Sequence, residues 1–416
     1  MLKKHLSVFD GYILYTTSVI GLGLIVLPSI AARLSGTYSI FIWIFLSTVS
    51  YSMGRVMSYL SSEYPSSGGV TSFIAQGLGK TAGHLTSILY LSAIFFGVPA
   101  TALFFSEYLS RSIGSIDFNF VFFAFLFLLF IVIINMFEAK LIMKFQKIVF
   151  FIFLFIIIVG VIPSFFKISI DNFTFDLHYS LPEVMTVPLI CFFAFVGWEN
   201  AIFSSEEFKD PRTLNKSLLS SALTVGLLFT LVSIVTVGTL GRETLEKSNT
   251  SLSDIFFISF GRNAEQVTSF LAVIIIFVMT ISWVRGSSRL VYFLAKEKLL
   301  PKSFSVINQR TSSPNLALCA LMIFWSISLF IYWMLDLRVE NYLRMASINF
   351  LVTYIFIFTS AFILMNNKRK VYSFHLYISI FSISVIFISS YADYWYPMLI
   401  IVAFFLFKKS RATLSS

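Results

Sequence analysis

Charge, cysteine and histidine are all scarce in this sequence. Charged residues make up 12% of the 416 positions, against roughly a quarter in an ordinary soluble domain. No polar block is long enough to form a large water-facing catalytic domain. The only two cysteines, Cys191 and Cys319, fall inside apolar runs, which excludes a disulfide-stapled secreted scaffold. His5, His84, His178 and His375 are scattered without the spacing of metal ligands, and no HExxH pattern occurs. No metal or other cofactor is therefore expected. A nucleotide-binding motif is also missing, so ATP is not expected to drive this protein directly.

Apolar surface, by contrast, is abundant. Hydrophobic residues account for 57% of the chain, 50 residues are phenylalanine, and the mean hydropathy is +0.88. At about 20 apolar residues per bilayer crossing, this suffices for on the order of a dozen helices. The expectation is an all-α polytopic membrane protein with twelve spans, at 11–34, 38–61, 86–110, 119–137, 145–166, 184–205, 215–239, 264–295, 315–335, 342–365, 372–390 and 392–407. Lys3 and Lys4 precede the first span as in a signal peptide. No small-residue cleavage site leads into a soluble domain, so that span is expected to be retained.

The net charge of +10 would suggest nucleic acid in a soluble protein; here its placement is topological. With the N-terminus inside, 21 of the 30 Lys and Arg residues fall on cytoplasmic segments, including Lys140, Lys144 and Lys147, the run from Arg285 to Arg310, and Lys368 to Lys370. Eight fall outside, and Arg55 lies within the second span. The imbalance puts both termini, 1–10 and 408–416, in the cytoplasm. The lipid bilayer is the expected partner, and nucleic acid is not.

Two spans carry interruptions. In the first, Gly21 and Gly23 precede Pro28, and each glycine lowers helix propensity by about 1 kcal/mol relative to alanine. In the sixth, Phe193-Ala194-Phe195-Val196-Gly197-Trp198-Glu199 sets a glycine close to an acidic residue. Glycines also serve as helix-packing faces, and from the first span alone both readings stand. Position favours a break, because the two segments are corresponding members of two five-span halves, 11–166 and 184–365, with 372–407 left over. Paired breaks of this kind mark the central site of inverted-repeat transporters. Unwound backbone offers N–H groups to a carboxylate and C=O groups to an ammonium, a pair that suits a zwitterionic amino acid.

The segment from Ser18 to Pro28 resembles the first-helix signature of the amino acid–polyamine–organocation superfamily of transporters. The stretch Glu63-Tyr64-Pro65-Ser66-Ser67-Gly68-Gly69-Val70 is similar to that family's turn after the second helix. Phe195 to Glu199 with Glu206 to Arg212 is similar to its sixth helix and following loop. Arg289 to Ala295, Leu299-Leu300-Pro301 and Pro314-Asn315 are similar to its eighth-to-ninth connection. Gly97-Val98-Pro99-Ala100 and the short chain most resemble the bacterial exporters of methionine and branched-chain amino acids. The resemblance implies a leucine-transporter-type fold in the inner membrane, exporting neutral hydrophobic amino acids against inward proton movement, as a monomer or homodimer. It places the substrate carboxylate at Ile20, Gly21, Leu22 and Gly23, and the amino group at the carbonyls of Phe193, Ala194 and Phe195, next to Gly197. Phe193 and Phe195 are implied as aromatic lids, with lipid or core packing as the plain alternative for either ring. Uptake or exchange by the same superfamily is the first alternative, and a membrane-embedded transferase the second.

Charged residues inside spans are costly and therefore informative. Glu199, just past the second break, is a candidate for reversible protonation in low dielectric, or else a hydrogen bond that pins the broken helix. Glu107 sits near the outer end of the third span, and Arg55 is expected to snorkel or pair. Where several proton-coupled relatives carry a fifth-helix lysine, this sequence has Phe153, and Lys147 lies close to the cytoplasmic end. Thr71 to Leu78 is expected to lie as an interfacial helix on the cytoplasmic surface. Residues 167–183, with Asp171, Asp176 and Glu183, form an acidic external loop, and 241–263 the longest external loop. Glu206, Glu207, Lys209, Asp210 and Arg212 are expected as gate ion pairs or a solvated face.

Overall fold

The computed structural model describes residues 6–64, 69–114, 119–137, 142–175, 180–198, 208–247, 250–308, 310–311, 313–365 and 370–414. Its long helices are α1 (Val8–Ser35), α2 (Tyr38–Glu63), α3 (Gly69–Leu78), α4 (Lys80–Ile113), α5 (Phe120–Asn135), α6 (Ile142–Phe155) and α7 (Leu181–Phe192). They continue with α8 (Pro211–Lys247), α9 (Ser251–Phe260), α10 (Arg262–Lys296), α11 (Asn315–Met334), α12 (Val339–Met365), α13 (Lys370–Ser389) and α14 (Trp395–Leu414). Among the described residues, nine helices are long and apolar enough to cross a membrane, and α5, α7 with its terminal turn, and α9 are shorter apolar helices. Each predicted span has its counterpart, in order α1, α2, α4 to α8 and α10 to α14. The second half of the sixth, with Glu199, lies outside the described residues.

Local chemistry sets the helix starts. Ser7 Oγ accepts the Asp10 amide at 3.2 Å while Asp10 accepts the Ser7 amide at 3.3 Å, a reciprocal cap that satisfies two orphan donors of α1. Asp210 does the same work for α8: it accepts the Thr213 amide at 2.8 Å, and that bond holds its carboxyl below the usual carboxylate range. Glu206 and Glu207 lie outside the described residues, while Lys209, Asp210 and Arg212 are exposed.

α1 runs through the middle of the bundle, packed along α8, which in turn lies on α2; α4 packs on α10 and α12. The outer surface stays apolar. On α11, buried Leu318, Leu321 and Trp325 alternate with exposed Leu316, Ile323 and Ile327, so both faces are hydrophobic and only one meets protein. A soluble helix would put polar groups on the second face; lipid asks for none.

Two loop expectations change. The segment expected on the cytoplasmic surface is α3, and it is packed into the protein: Phe73 and Ile74 are fully buried, and Ser360 of α12 donates to the Phe73 carbonyl at 2.6 Å. An amphipathic pattern records an apolar neighbour without saying whether it is lipid or protein. The segment expected as the longest external loop, 241–263, is mostly helical among its described residues. α8 turns at Gly241 (φ 65°, ψ 170°) and continues to Lys247, and α9 follows because Leu252, Ile255 and Phe256 bury one face. The Phe256 ring sits directly on Gly160, inside a π turn (Ile156–Val161) that continues α6, and Ser259 and Ser164 hydroxyls meet at 2.8 Å beside it. Arg55 stacks its guanidinium 5.2 Å from the centre of the Tyr372 ring, so its charge is met by an aromatic face.

Candidate functional site

Both expected breaks fall where α1 and α7 meet. Within α1, Gly21 leaves helical geometry entirely (φ 0°, ψ −125°) and splits the rod into two halves. Pro28, about two turns on, has no N–H to give the carbonyl of Leu24. α7 tightens into a 3-10 turn at Phe193–Phe195, becomes extended at Val196, and passes Gly197 at φ 141°, a region that suits only glycine well. The two breaks touch: a Cβ built on Gly23 would lie 3.0 Å from Ala194 Cα and 3.1 Å from the Phe229 ring.

Beside this contact lies a small cavity, with about 30 Å³ open to the centres of water-sized molecules. Val19, Leu22, Gly23, Phe193 and Val196 line it from the broken segments. The opposite wall is Gly97 and Thr101 of α4, Met279 and Trp283 of α10, and Phe350 of α12. Phe193 meets Phe350 edge-on at 6.4 Å and stands 3.2 Å from where a Gly97 side chain would begin. Thr101 Oγ1 is spent on the Gly97 carbonyl at 2.9 Å, and the other side chains that line the cavity are predominantly apolar.

The residues expected from the sequence divide into groups. Leu22, Gly23 and Phe193 line the cavity; Gly21 faces Met279; Ala194 forms the contact with Gly23; Ile20 is buried in the core. Phe195 points elsewhere. Its ring is buried against both Trp43 and Phe229, themselves stacked at 4.7 Å, so it fastens the break to α2 and α8. Gly197 is buried behind it and is followed by Trp198, whose indole donates to Ser50 at 3.2 Å. Phe153 is buried in the core. Gly97 carried a sequence signal as part of the third-helix motif. Met279, Trp283, Thr101 and Phe350 carried none, since one more apolar residue in an apolar helix stands out from nothing.

α1 is tied at both ends. Where it begins, Asp10 pairs with Lys147 of α6 at 3.0 Å, Leu6 bridges to Phe208, and Ser217 and Ser221 of α8 bond the carbonyls of Val8 and Tyr12. At its far end Arg33 pairs with Glu340 of α12, and Tyr108 of α4 donates to the Ile25 carbonyl at 3.0 Å. Arg111 binds Asp254 of α9 at 2.6 Å near the same end, with Glu265 of α10 at 3.6 Å.

Gly21 thus divides α1 near its midpoint, and each half is held at its outer end by polar ties. The family model described as amino acid permease matches residues 6–413. The chain belongs to the amino acid permease family. Like other members, this permease is therefore a transporter and an integral membrane protein rather than an enzyme. It is 27% identical over 369 residues to an uncharacterized amino acid permease of Bacillus subtilis, YecA, covering 88% of this chain and 87% of that one. A 99-residue stretch, 24% of each chain, is 34% identical to the L-methionine/branched-chain amino acid exporter YjeH of Escherichia coli. An aspartate-proton symporter of Bacillus subtilis is 22% identical over 351 residues, 78% of this chain and 67% of its own.

Proposed function

We propose that this permease exports neutral, apolar amino acids, the class of leucine, isoleucine, valine and methionine, across the bacterial inner membrane by alternating access, with inward proton movement as the driving force. The carrying observation is the apolar cavity set against two adjoining backbone breaks. Leu22 and Gly23 amides, with the backbone of Ile20 and Gly21, receive the carboxylate; the carbonyls of Phe193, Ala194 and Phe195, next to Gly197, receive the ammonium. Phe193, Trp283 and Phe350 then surround an aliphatic side chain that has no charge to satisfy. The local likeness to an exporter of methionine and branched-chain amino acids supports the substrate class and the direction.

In this reading residues 11–166 and 184–365 form the inverted repeat, both termini are cytoplasmic, and the ties at the two ends of α1 open in turn. Asp10–Lys147 and the serines of α8 close the cytoplasmic side; Arg33–Glu340 closes the outside. Purified protein in liposomes is expected to give saturable, stereoselective flux of labelled L-leucine, accelerated by unlabelled leucine on the far side. Flux that rises linearly with concentration, or a chemically altered substrate, would sink the proposal.

Glu199 is the proton-linked group of this reading, on the strength of its sequence position past the break and its match to an acidic position in related antiporters. Glu199→Gln is expected to preserve leucine exchange while flattening the dependence of net flux on pH between about 5 and about 8. A pH profile identical to that of the unaltered protein removes the role.

A further inference from the structure

The break in α1 is completed from outside the two broken helices. A turn out of helical geometry at Gly21 interrupts the ladder of i to i−4 bonds at the amides that follow, and a membrane interior has no water to replace the lost acceptors. The Leu22 amide donates instead to a side chain of α10, the Met279 thioether, at 3.2 Å. The same sulfur fills the space beside Gly21, so that a Cβ at that position would overlap it. Met279 also forms part of the cavity wall with Leu22, Gly23 and Trp283.

Two physical points make this more than packing. A thioether is a weak acceptor, whereas a carboxylate takes charge-assisted bonds roughly twice as strong as neutral ones. The cavity is also small: about 30 Å³ for water-sized centres leaves no room for a leucine side chain. Of the walls, Met279 is the unbranched one, with rotatable bonds that let it withdraw at low cost.

We propose that Met279 is a displaceable plug. Its sulfur caps the Leu22 amide in the empty carrier, and the incoming carboxylate takes that amide while the withdrawn side chain vacates volume for the substrate. This rests on reading the Gly21 break as the carboxylate site. The plug sets affinity: part of the substrate's binding energy is spent removing it, and the empty site is never left with a bare amide.

The test is binding of labelled L-leucine to the full-length protein in lipid nanodiscs. Met279→Leu keeps the volume and deletes the acceptor, and is expected to tighten binding about threefold to tenfold, the range of one weak hydrogen bond. Met279→Gln supplies a stronger acceptor and is expected to weaken binding about threefold or more. In protein carrying methyl-labelled methionine, the Met279 resonance, assigned by its loss in Met279→Leu, should move on adding leucine and stay in place with leucine methyl ester, which lacks the carboxylate. Binding by Met279→Leu within twofold of the unaltered protein, or a resonance unmoved by saturating leucine, overturns the plug alone. Unaltered protein that binds leucine and its ester equally overturns the carboxylate site, and the plug with it.

Discussion

Leucine at position 23 is expected to stop transport while leaving the protein in the membrane. At Gly23 the two broken segments touch, and its first added carbon would meet the backbone and methyl of Ala194 at 3.0 Å and the Phe229 ring at 3.1 Å. None of these can yield cheaply. Ala194 is backbone within a 3-10 turn, and Phe229 is stacked on Trp43 and fully buried. Overpacking must therefore push the α7 break away from α1. A displacement on the order of 1 Å at a positioning site costs about 100-fold in rate, and the flux of labelled leucine by Gly23→Leu should fall by at least that. Membrane abundance and a single symmetric gel-filtration peak should be unchanged, because the rest of α1 stays tied to α8. Flux within threefold of the unaltered protein would show that the contact has no part in transport.

The second large effect is on stability. Arg344 of α12 reaches the short turn Tyr391–Asp393, its Nη2 lying 2.8 Å and its Nε 3.2 Å from Asp393 Oδ2, and the aspartate side chain is only 6% exposed. Removing the cation strands a buried carboxylate, and breaking such a pair costs about 3 kcal/mol. Arg344→Ala should lower the unfolding midpoint in detergent by about 5 °C. Arg344→Ala combined with Asp393→Ala should recover part of that loss, since the stranded charge goes with its partner. A single variant as stable as the unaltered protein, or a double variant less stable than the single, would remove the pair from the account of what joins α12 to the last two helices.

The helices were legible because lipid demands long apolar runs, and the twelve spans correspond to helices in order. The breaks were legible for a related reason: Gly21, Gly23 and Gly197 are expensive in a helix, so their presence there is informative. Legibility ended where the physics is degenerate. Met279 and Trp283 contribute to the cavity from α10, yet a residue that faces lipid and one that faces a cavity are equally apolar. Thr71 to Leu78 shows the same ambiguity from the other side, its apolar face being buried on α4 and α12. Phe193 and Phe195 sit two residues apart in one turn, and only the three-dimensional path sends one ring to the cavity and the other to Trp43.

The π turn at Ile156–Val161 has a geometric outcome for everything after it. A turn of this kind accommodates one residue more than a regular helix would, and each residue advances a helix by about 100°. Shortening it by one position would rotate the stretch that follows by that angle. Ser164 would swing off the Ser259 hydroxyl, and Phe166, now 90% exposed, would sweep round toward a different quadrant. The seat of Phe256 on Gly160 thus acts as a phase setting, one inserted residue choosing which compass direction the end of that rod presents to its neighbours.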